Sequence, residues 1–170
     1  SRVHVSGHSM GGHGTWHFGV MHPGTFATVV PSAGWASFYT YPAGRASSKP
    51  DEPLQSARAH SETKNYLANL AKRPLFVIHG TADNNVQISQ AKDLIKALNN
   101  AVPGKMDIQK HYEQGADHWW DGDKAEGADC VEWPAAMKLM KNTTLDRHEL
   151  DFSFKTPGPY YTASHSYATI

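Results

Sequence analysis

Ser9 stands in Gly7-His8-Ser9-Met10-Gly11, directly after the short run Val3-His4-Val5-Ser6 and directly before Gly12 and a stretch with helical character. A serine hydroxyl attacks a carbonyl only when a turn presents it and a base removes its proton. A β-strand running into Gly-x-Ser-x-Gly and straight into a helix supplies the first condition. The turn is so tight that Ser9 is expected to hold strained backbone angles, and a side chain at Gly7 or Gly11 is expected to collide with the neighbouring strand or helix. The hydroxyl is lifted above the amino end of the following helix, where backbone N–H groups and the helix dipole favour a developing oxyanion. Gly-x-Ser-x-Gly alone is a common loop pattern. The strand before it, Gly12 after it and the partners downstream give it weight.

Those partners follow in the order acid, then histidine. Pro74-Leu75-Phe76-Val77-Ile78-His79 is a continuous apolar run of the kind buried on both faces of a parallel sheet, and it ends in Gly80-Thr81-Ala82-Asp83. Asp83 thus falls in the loop at the strand's carboxyl end, where a carboxylate can fix a histidine's tautomer and stabilise its protonated form. Its position equally suits capping a helix that opens near Val86. Asp107 to Glu113 reads as the last, more polar strand, with Gln114-Gly115-Ala116-Asp117-His118 as the loop beyond it. His118 is the best general base among the eleven histidines. Asp117 is a poor rival for the acid, because adjacent residues rarely aim their side chains at one another.

With these residues in place, the chain resembles the α/β-hydrolase domain of the prolyl oligopeptidase (S9-like) group and its esterase relatives. The resemblance rests on Gly7-His8-Ser9-Met10-Gly11-Gly12 with Gly14-Thr15-Trp16, on Pro23, Phe26-Ala27 and Pro31-Ser32-Ala33-Gly34, on His79-Gly80-x-x-Asp83-x-x-Val86, and on Gly115-x-x-His118. It covers roughly residues 1 to 141. It implies an α/β fold of mostly parallel strands with flanking helices, Ser9 as nucleophile, Asp83 as orienting acid, His118 as base and the Met10 N–H as one oxyanion donor. It does not fix the substrate, since the fold hosts peptidases, esterases and lipases alike.

The chain departs from that pattern in opening on the nucleophile strand, without an initiator Met and without the strands that normally precede it. An α/β-hydrolase takes its second oxyanion N–H from a loop in that preceding half. The expectation is therefore the carboxyl-terminal half of a hydrolase domain, a piece of a longer protein.

Composition agrees with one domain. Sixteen basic residues balance sixteen acidic ones, which suggests neither nucleic acid nor an anionic membrane as partner. No apolar run approaches membrane-spanning length. The single cysteine, Cys130, excludes an intrachain disulfide and reads as structural.

Along the chain, a helix is expected from about Gly11 to Met21, with Gly12, Trp16, Gly19 and Val20 on its sheet-facing side. A strand is expected over Phe26–Val30 and a short helix over Glu62–Leu70. A further helix is expected over Val86–Asn99, burying Ile88, Ala91, Ile95 and Leu98. The last helix is expected over Trp133–Lys141. Residues 35–73 break the alternation where caps are inserted in this fold. Trp35, Phe38 and Tyr39, together with Trp119 beside the proposed base, are candidates for a substrate pocket or for ordinary packing. His13 and His17 stand one helical turn apart, as a zinc pair would, but no third ligand is placed by spacing, so they read as exposed surface histidines. Asn142-Thr143-Thr144 fits the N-glycosylation pattern.

From His148 the pattern changes, and residues 148–170 read as the start of a β-rich appended segment, with residues 1–147 as the hydrolase part. That tail resembles one found in secreted relatives and gives an expectation of a secreted or periplasmic location. Taken together, the residues predict a serine hydrolase needing no metal or other cofactor, acting on a peptide or ester, with no nucleic-acid partner and no membrane insertion. Peptidase is favoured over carboxylesterase, and a non-catalytic binding module of the same fold is the competing class. The oligomeric state is not readable.

Overall fold

Alternate residues of a strand face opposite ways, so Leu75-Phe76-Val77-Ile78 can be apolar throughout only if both faces of its sheet are covered. The computed structural model describes residues 1–41, 53–102, 104, 106–120, 130–146, 152–158, 164–165 and 168–169, and it shows this arrangement. Four strands, β1 (Val5–His8), β2 (Val29–Ser32), β3 (Leu75–Gly80) and β4 (Ile108–Glu113), lie in that order in one sheet. Every neighbouring pair is parallel. Helices α1 (Met10–Met21), α3 (Ser89–Ala101) and α4 (Pro134–Asn142) flank it. Between β2 and β3 lie the short α2 (Leu54–Arg58) and a 3-10 helix, Thr63–Leu70.

The two faces of β3 carry two separate apolar clusters. Leu75 and Val77 pack with Trp16 and Val20 of α1, Leu67 and Leu70 of the 3-10 helix, and Leu94 and Leu98 of α3. Phe76 and Ile78 pack on the opposite face with Val30 and with Ala136 of α4, beside Trp120, Trp133, Leu139 and Met140. The expected sheet-facing stripe of α1 is buried as read.

Several boundaries and contacts differ from the sequence reading. Strand β2 starts at Val29 rather than Phe26. The stretch before it still pairs irregularly with β1, through Ala27 N–H to the Val3 carbonyl at 2.7 Å and Val5 N–H to the Thr28 carbonyl at 3.2 Å. Helix α3 starts at Ser89, and its buried stripe is Ala91, Leu94 and Leu98, with Ile88 and Ile95 only half-buried. His13 is not a surface residue. It is buried, its Nδ1 lies 3.0 Å from the Trp35 carbonyl, and its ring stacks on Trp35 at 4.8 Å. The aromatic segment after β2 folds over that side of α1 and covers it. His17 is half-buried, with Nδ1 3.3 Å from Thr63 Oγ1. Cys130 is buried.

Among the described residues, the expected β-rich segment holds an antiparallel pair, β5 (Ser164–His165) with β6 (Ala168–Thr169). Phe152–Thr156 is without regular structure. It is nevertheless fastened to the sheet-bearing part, because the buried Asn69 amide accepts the Lys155 N–H at 2.7 Å and donates to the Lys155 carbonyl at 2.8 Å. Leu150, Tyr167 and Ile170 lie outside the described residues. Among the described residues no helix is long and apolar enough to cross a membrane.

Candidate active site

The elbow is built by close backbone approach. Ser9 sits at φ 57° and ψ −115°, a conformation that side chains rarely adopt, and its N–H donates to the Ser32 carbonyl at 3.0 Å. A Cβ on Gly7 would stand 2.6 Å from the Gly11 carbonyl oxygen, and one on Gly12 would stand 2.1 Å from the Ser32 carbonyl oxygen. Gly11 itself is open, with nothing within 4 Å of a Cβ there. The expected collision at Gly11 is thus wrong. The crowded positions are Gly7, which faces the Gly11 backbone across the turn, and Gly12, on the inner side of the helix's first turn that touches β2. Helix α1 begins at Met10, so its first N–H groups have no intrahelical acceptor and lie next to Ser9.

The acid and histidine loops are tied to each other before they are tied to Ser9. Strands β3 and β4 pair up to Gly80 opposite Glu113. Beyond that register the Thr81 N–H donates to the Glu113 carbonyl at 2.9 Å, the Ala82 N–H to the Ala116 carbonyl at 2.8 Å, and the Gly115 N–H to Thr81 Oγ1 at 2.8 Å. The two loops run so close that a Cβ on Gly80 would stand 2.3 Å from the Asp117 carbonyl oxygen.

This lacing brings Ser9, Asp83 and His118 into one line. Ser9 Oγ lies 2.8 Å from His118 Nε2, and His118 Nδ1 lies 2.8 Å from Asp83 Oδ2. With Nδ1–H donating to the carboxylate, Nε2 carries the lone pair that accepts the Ser9 hydroxyl proton. The other carboxylate oxygen, Asp83 Oδ1, accepts the N–H groups of Asn85 at 2.9 Å and Val86 at 2.7 Å. Asp83 therefore does both things its position allows, capping the chain that leads into α3 and holding His118. Burial alone would push its carboxyl up. The hydrogen bonds from His118, His79 and the Val86 N–H outweigh burial and hold Asp83 well below the usual carboxylate range. Asp117 faces elsewhere and accepts the Trp119 N–H at 3.0 Å.

Two histidines that the sequence reading left without a role flank this line. His79 is fully buried, and its Nε2–H donates to the Val86 carbonyl at 2.7 Å and lies 3.4 Å from Asp83 Oδ2. Among the described residues its Nδ1 is buried without a hydrogen-bond partner, so Nε2–H is the donor that the ring presents behind the carboxylate. The signal in the sequence was a titratable residue closing an otherwise apolar buried run. His8 lies on the other side, with its ring centroid 4.7 Å from that of His118 and 4.3 Å from Trp119. His111, by contrast, stacks on Trp133 at 3.7 Å and reaches Glu113 at 2.7 Å.

The four aromatic pocket candidates separate. Trp35 is buried between His13 and Tyr41, and the Tyr41 hydroxyl donates to Asn85 Oδ1 at 3.0 Å. Trp35 thus packs as core rather than lining an opening. Phe38 is exposed and meets the His13 ring, and Tyr39 is half-buried. Trp119 is half-exposed and stands edge-on to His118 at 5.4 Å, next to Ser9's partner. Among the described residues no group of three or more His, Cys, Asp or Glu side chains could hold a metal ion.

Comparison with known proteins identifies the family. The chain is 29% identical over 123 residues to an uncharacterized secreted protein of Arthroderma benhamiae, a match covering 69% of this chain and 13% of the relative. Among solved structures it resembles acylaminoacyl peptidase, with TM-score 0.60 and 18% identity, over 86% of this chain and 24% of that one. It also resembles dipeptidyl peptidase 4 of Porphyromonas gingivalis, with TM-score 0.58 and 20% identity, over 81% of this chain and 19% of that one. A thermostable esterase aligns with TM-score 0.52 and 19% identity, over 81% of this chain and 30% of that one. At these identities the structures establish the α/β-hydrolase fold, and the chain spans less than a third of each of these proteins. The sequence profile of the prolyl oligopeptidase family matches residues 1–133, which contain the Ser9 elbow, the Asp83 loop and the His118 loop, and the chain belongs to that family of hydrolases.

Proposed function

We propose that this chain carries the Ser9–His118–Asp83 triad of a serine hydrolase and acts on peptide bonds. The observation that carries the reading is the unbroken line of two 2.8 Å hydrogen bonds from Asp83 Oδ2 through the His118 ring to Ser9 Oγ. His118 Nε2 takes the hydroxyl proton as Ser9 Oγ attacks the substrate carbonyl. The resulting oxyanion is met by the Met10 N–H at the start of α1, and Asp83 balances the charge on the imidazolium. His118 then protonates the leaving amine, and an acyl-enzyme remains on Ser9. Water, deprotonated by the same ring, clears it. Trp119, half-exposed beside His118, forms a wall of the substrate site.

Family membership supports peptidase over carboxylesterase, and the secreted relative supports a secreted location. The test uses the full-length protein. A fluorophosphonate probe is expected to label Ser9, with labelling lost in Ser9→Ala. Equal labelling of the variant refutes the nucleophile, and an unlabelled parent supports a non-catalytic module instead. Comparing kcat/KM on a peptide amide and a p-nitrophenyl ester separates peptidase from esterase.

A further inference from the structure

His8 is half-buried and occupies the position between Gly7 and the nucleophile, and nothing in the triad chemistry uses it. Its ring is fixed at one end, where Nδ1 lies 3.0 Å from Ser32 Oγ. The flat of the ring fills the space beside the His118 imidazole, at 4.7 Å between centroids and 49° between planes. It also lies under the Trp119 indole, at 4.3 Å and 46°. Ser32 is wholly buried, and its carbonyl already holds the Ser9 N–H. His8 therefore connects the anchored elbow to a loop whose histidine must stay within hydrogen-bonding reach of Ser9.

We propose that His8 is a positioning residue: an uncharged ring wedged between Ser32 and the His118–Trp119 pair that keeps the His118 imidazole from swinging away from Ser9 Oγ. The proposal rests on the serine-hydrolase reading and extends it.

The geometry specifies the protonation state this role needs. Among the described residues Nε2 of His8 is buried without a well-formed hydrogen bond, and the His118 backbone carbonyl is the acceptor nearest to the ring on that side. A proton there would be a poorly satisfied buried donor, whereas Nδ1–H donating to Ser32 Oγ leaves only a lone pair. The ionisable groups facing the ring are His118, Asp83 and His79. Burial, then the neighbouring His118 and more weakly His79, push His8 down to about 4, and the attraction of Asp83 and the His118 backbone carbonyl only partly oppose them. A charge on His8 would sit beside the imidazolium that His118 forms during turnover and oppose it. A neutral ring supports His118 without that repulsion.

The experiment is p-nitrophenyl acetate hydrolysis by the full-length protein, with rates expressed per serine titrated by a fluorophosphonate. His8→Ala is expected to lower kcat per titrated serine by about tenfold or more while KM stays within about twofold. His8→Asn, which keeps a donor toward Ser32 but no ring, should lose as much. His8→Phe, which keeps the ring, should retain kcat within about threefold and leave the acid limb of the kcat/KM profile superimposed on the parent's. A purely structural role would lower the melting temperature or the titratable fraction and leave kcat per titrated serine unchanged. That result overturns the proposal, as does a His8→Phe variant as slow as His8→Ala or with a displaced acid limb. If His8→Ala does not fold, the Phe and Asn pair decides alone. An unlabelled parent takes this proposal down together with the hydrolase reading, while a labelled parent with an unaffected His8→Ala removes only the proposal.

Discussion

Asp83→Asn separates the two tasks that the Asp83 carboxylate performs. The amide oxygen can replace Oδ1 and keep accepting the Asn85 and Val86 N–H groups, so the chain leading into α3 stays capped. The amide nitrogen then takes the place of Oδ2, where it meets His118 Nδ1 at 2.8 Å and His79 Nε2 at 3.4 Å. Both ring nitrogens currently donate toward that oxygen, and an NH₂ group cannot accept from either. His118 escapes by changing tautomer, placing its hydrogen on Nε2 and its lone pair toward the amide. The lone pair that should receive the Ser9 proton is then gone. Loss of that tautomer alone is expected to reduce kcat by about 10⁴-fold, or roughly 5.5 kcal/mol at 1.36 kcal/mol per decade. KM should change little. The assay is steady-state ester hydrolysis by the full-length protein, with circular dichroism to verify the fold. A variant within about tenfold of parental kcat would refute the argument. The same substitution reports on acid stability. Because folding lowers the Asp83 pKa, its carboxylate stabilises the fold above the ordinary aspartate range, and that contribution is lost as pH falls through the folded value. The stability gap between parent and Asp83→Asn should therefore narrow on acidification below about pH 4. A gap that widens would reverse the sign of the assigned shift.

Two further outcomes follow from the site's surroundings. His118→Ala should lower kcat by about 10⁴-fold or more, whereas His111→Ala, which stacks on Trp133 and reaches Glu113, should stay within about twofold of parental activity; the reverse order in p-nitrophenyl ester assays would displace His118 as base. Gly80→Ala forces a Cβ against the Asp117 and Ala116 carbonyl oxygens, at 2.3 and 2.5 Å, and is expected to cost about 1–3 kcal/mol in urea unfolding together with part of kcat. A variant as stable and active as the parent would show that the two loops can part freely.

What the sequence made legible was the part governed by local pattern. The elbow around Ser9, the doubly buried β3 and the loops ending in Asp83 and His118 follow from strand length, glycine placement and chain order. The failures share a physical cause, which is that tertiary partners took over groups that local reasoning assigned elsewhere. Helix α3 does not begin at Val86 because the Val86 carbonyl is taken by His79 Nε2–H rather than by an N–H four residues on. The place of His13 on one helix face points to solvent, and pattern alone does not locate the aromatic segment that covers it. Gly11 and Gly12 are indistinguishable in sequence, yet only the inward one meets β2. His8 and His79 carried no spacing signal, because their roles depend on ring nitrogens whose partners lie on other strands and loops.

The lacing of residues 80–82 to residues 113–116 also sets where this protein can change length. Each bond in it joins a fixed pair of positions, and the strand register runs into it without a break. One residue inserted between Glu113 and His118 would shift every pairing beyond it and move the imidazole off its line between Asp83 and Ser9. The same insertion between the end of α3 and the start of β4, before the register begins, would be absorbed without reaching the loops. Homologous chains should therefore keep the spacings from Gly80 to Asp83 and from Glu113 to His118 constant while differing freely in length at the α3–β4 connection and between β2 and the 3-10 helix. Insertions and deletions, rather than substitutions, are the changes to which this pair of loops is least tolerant.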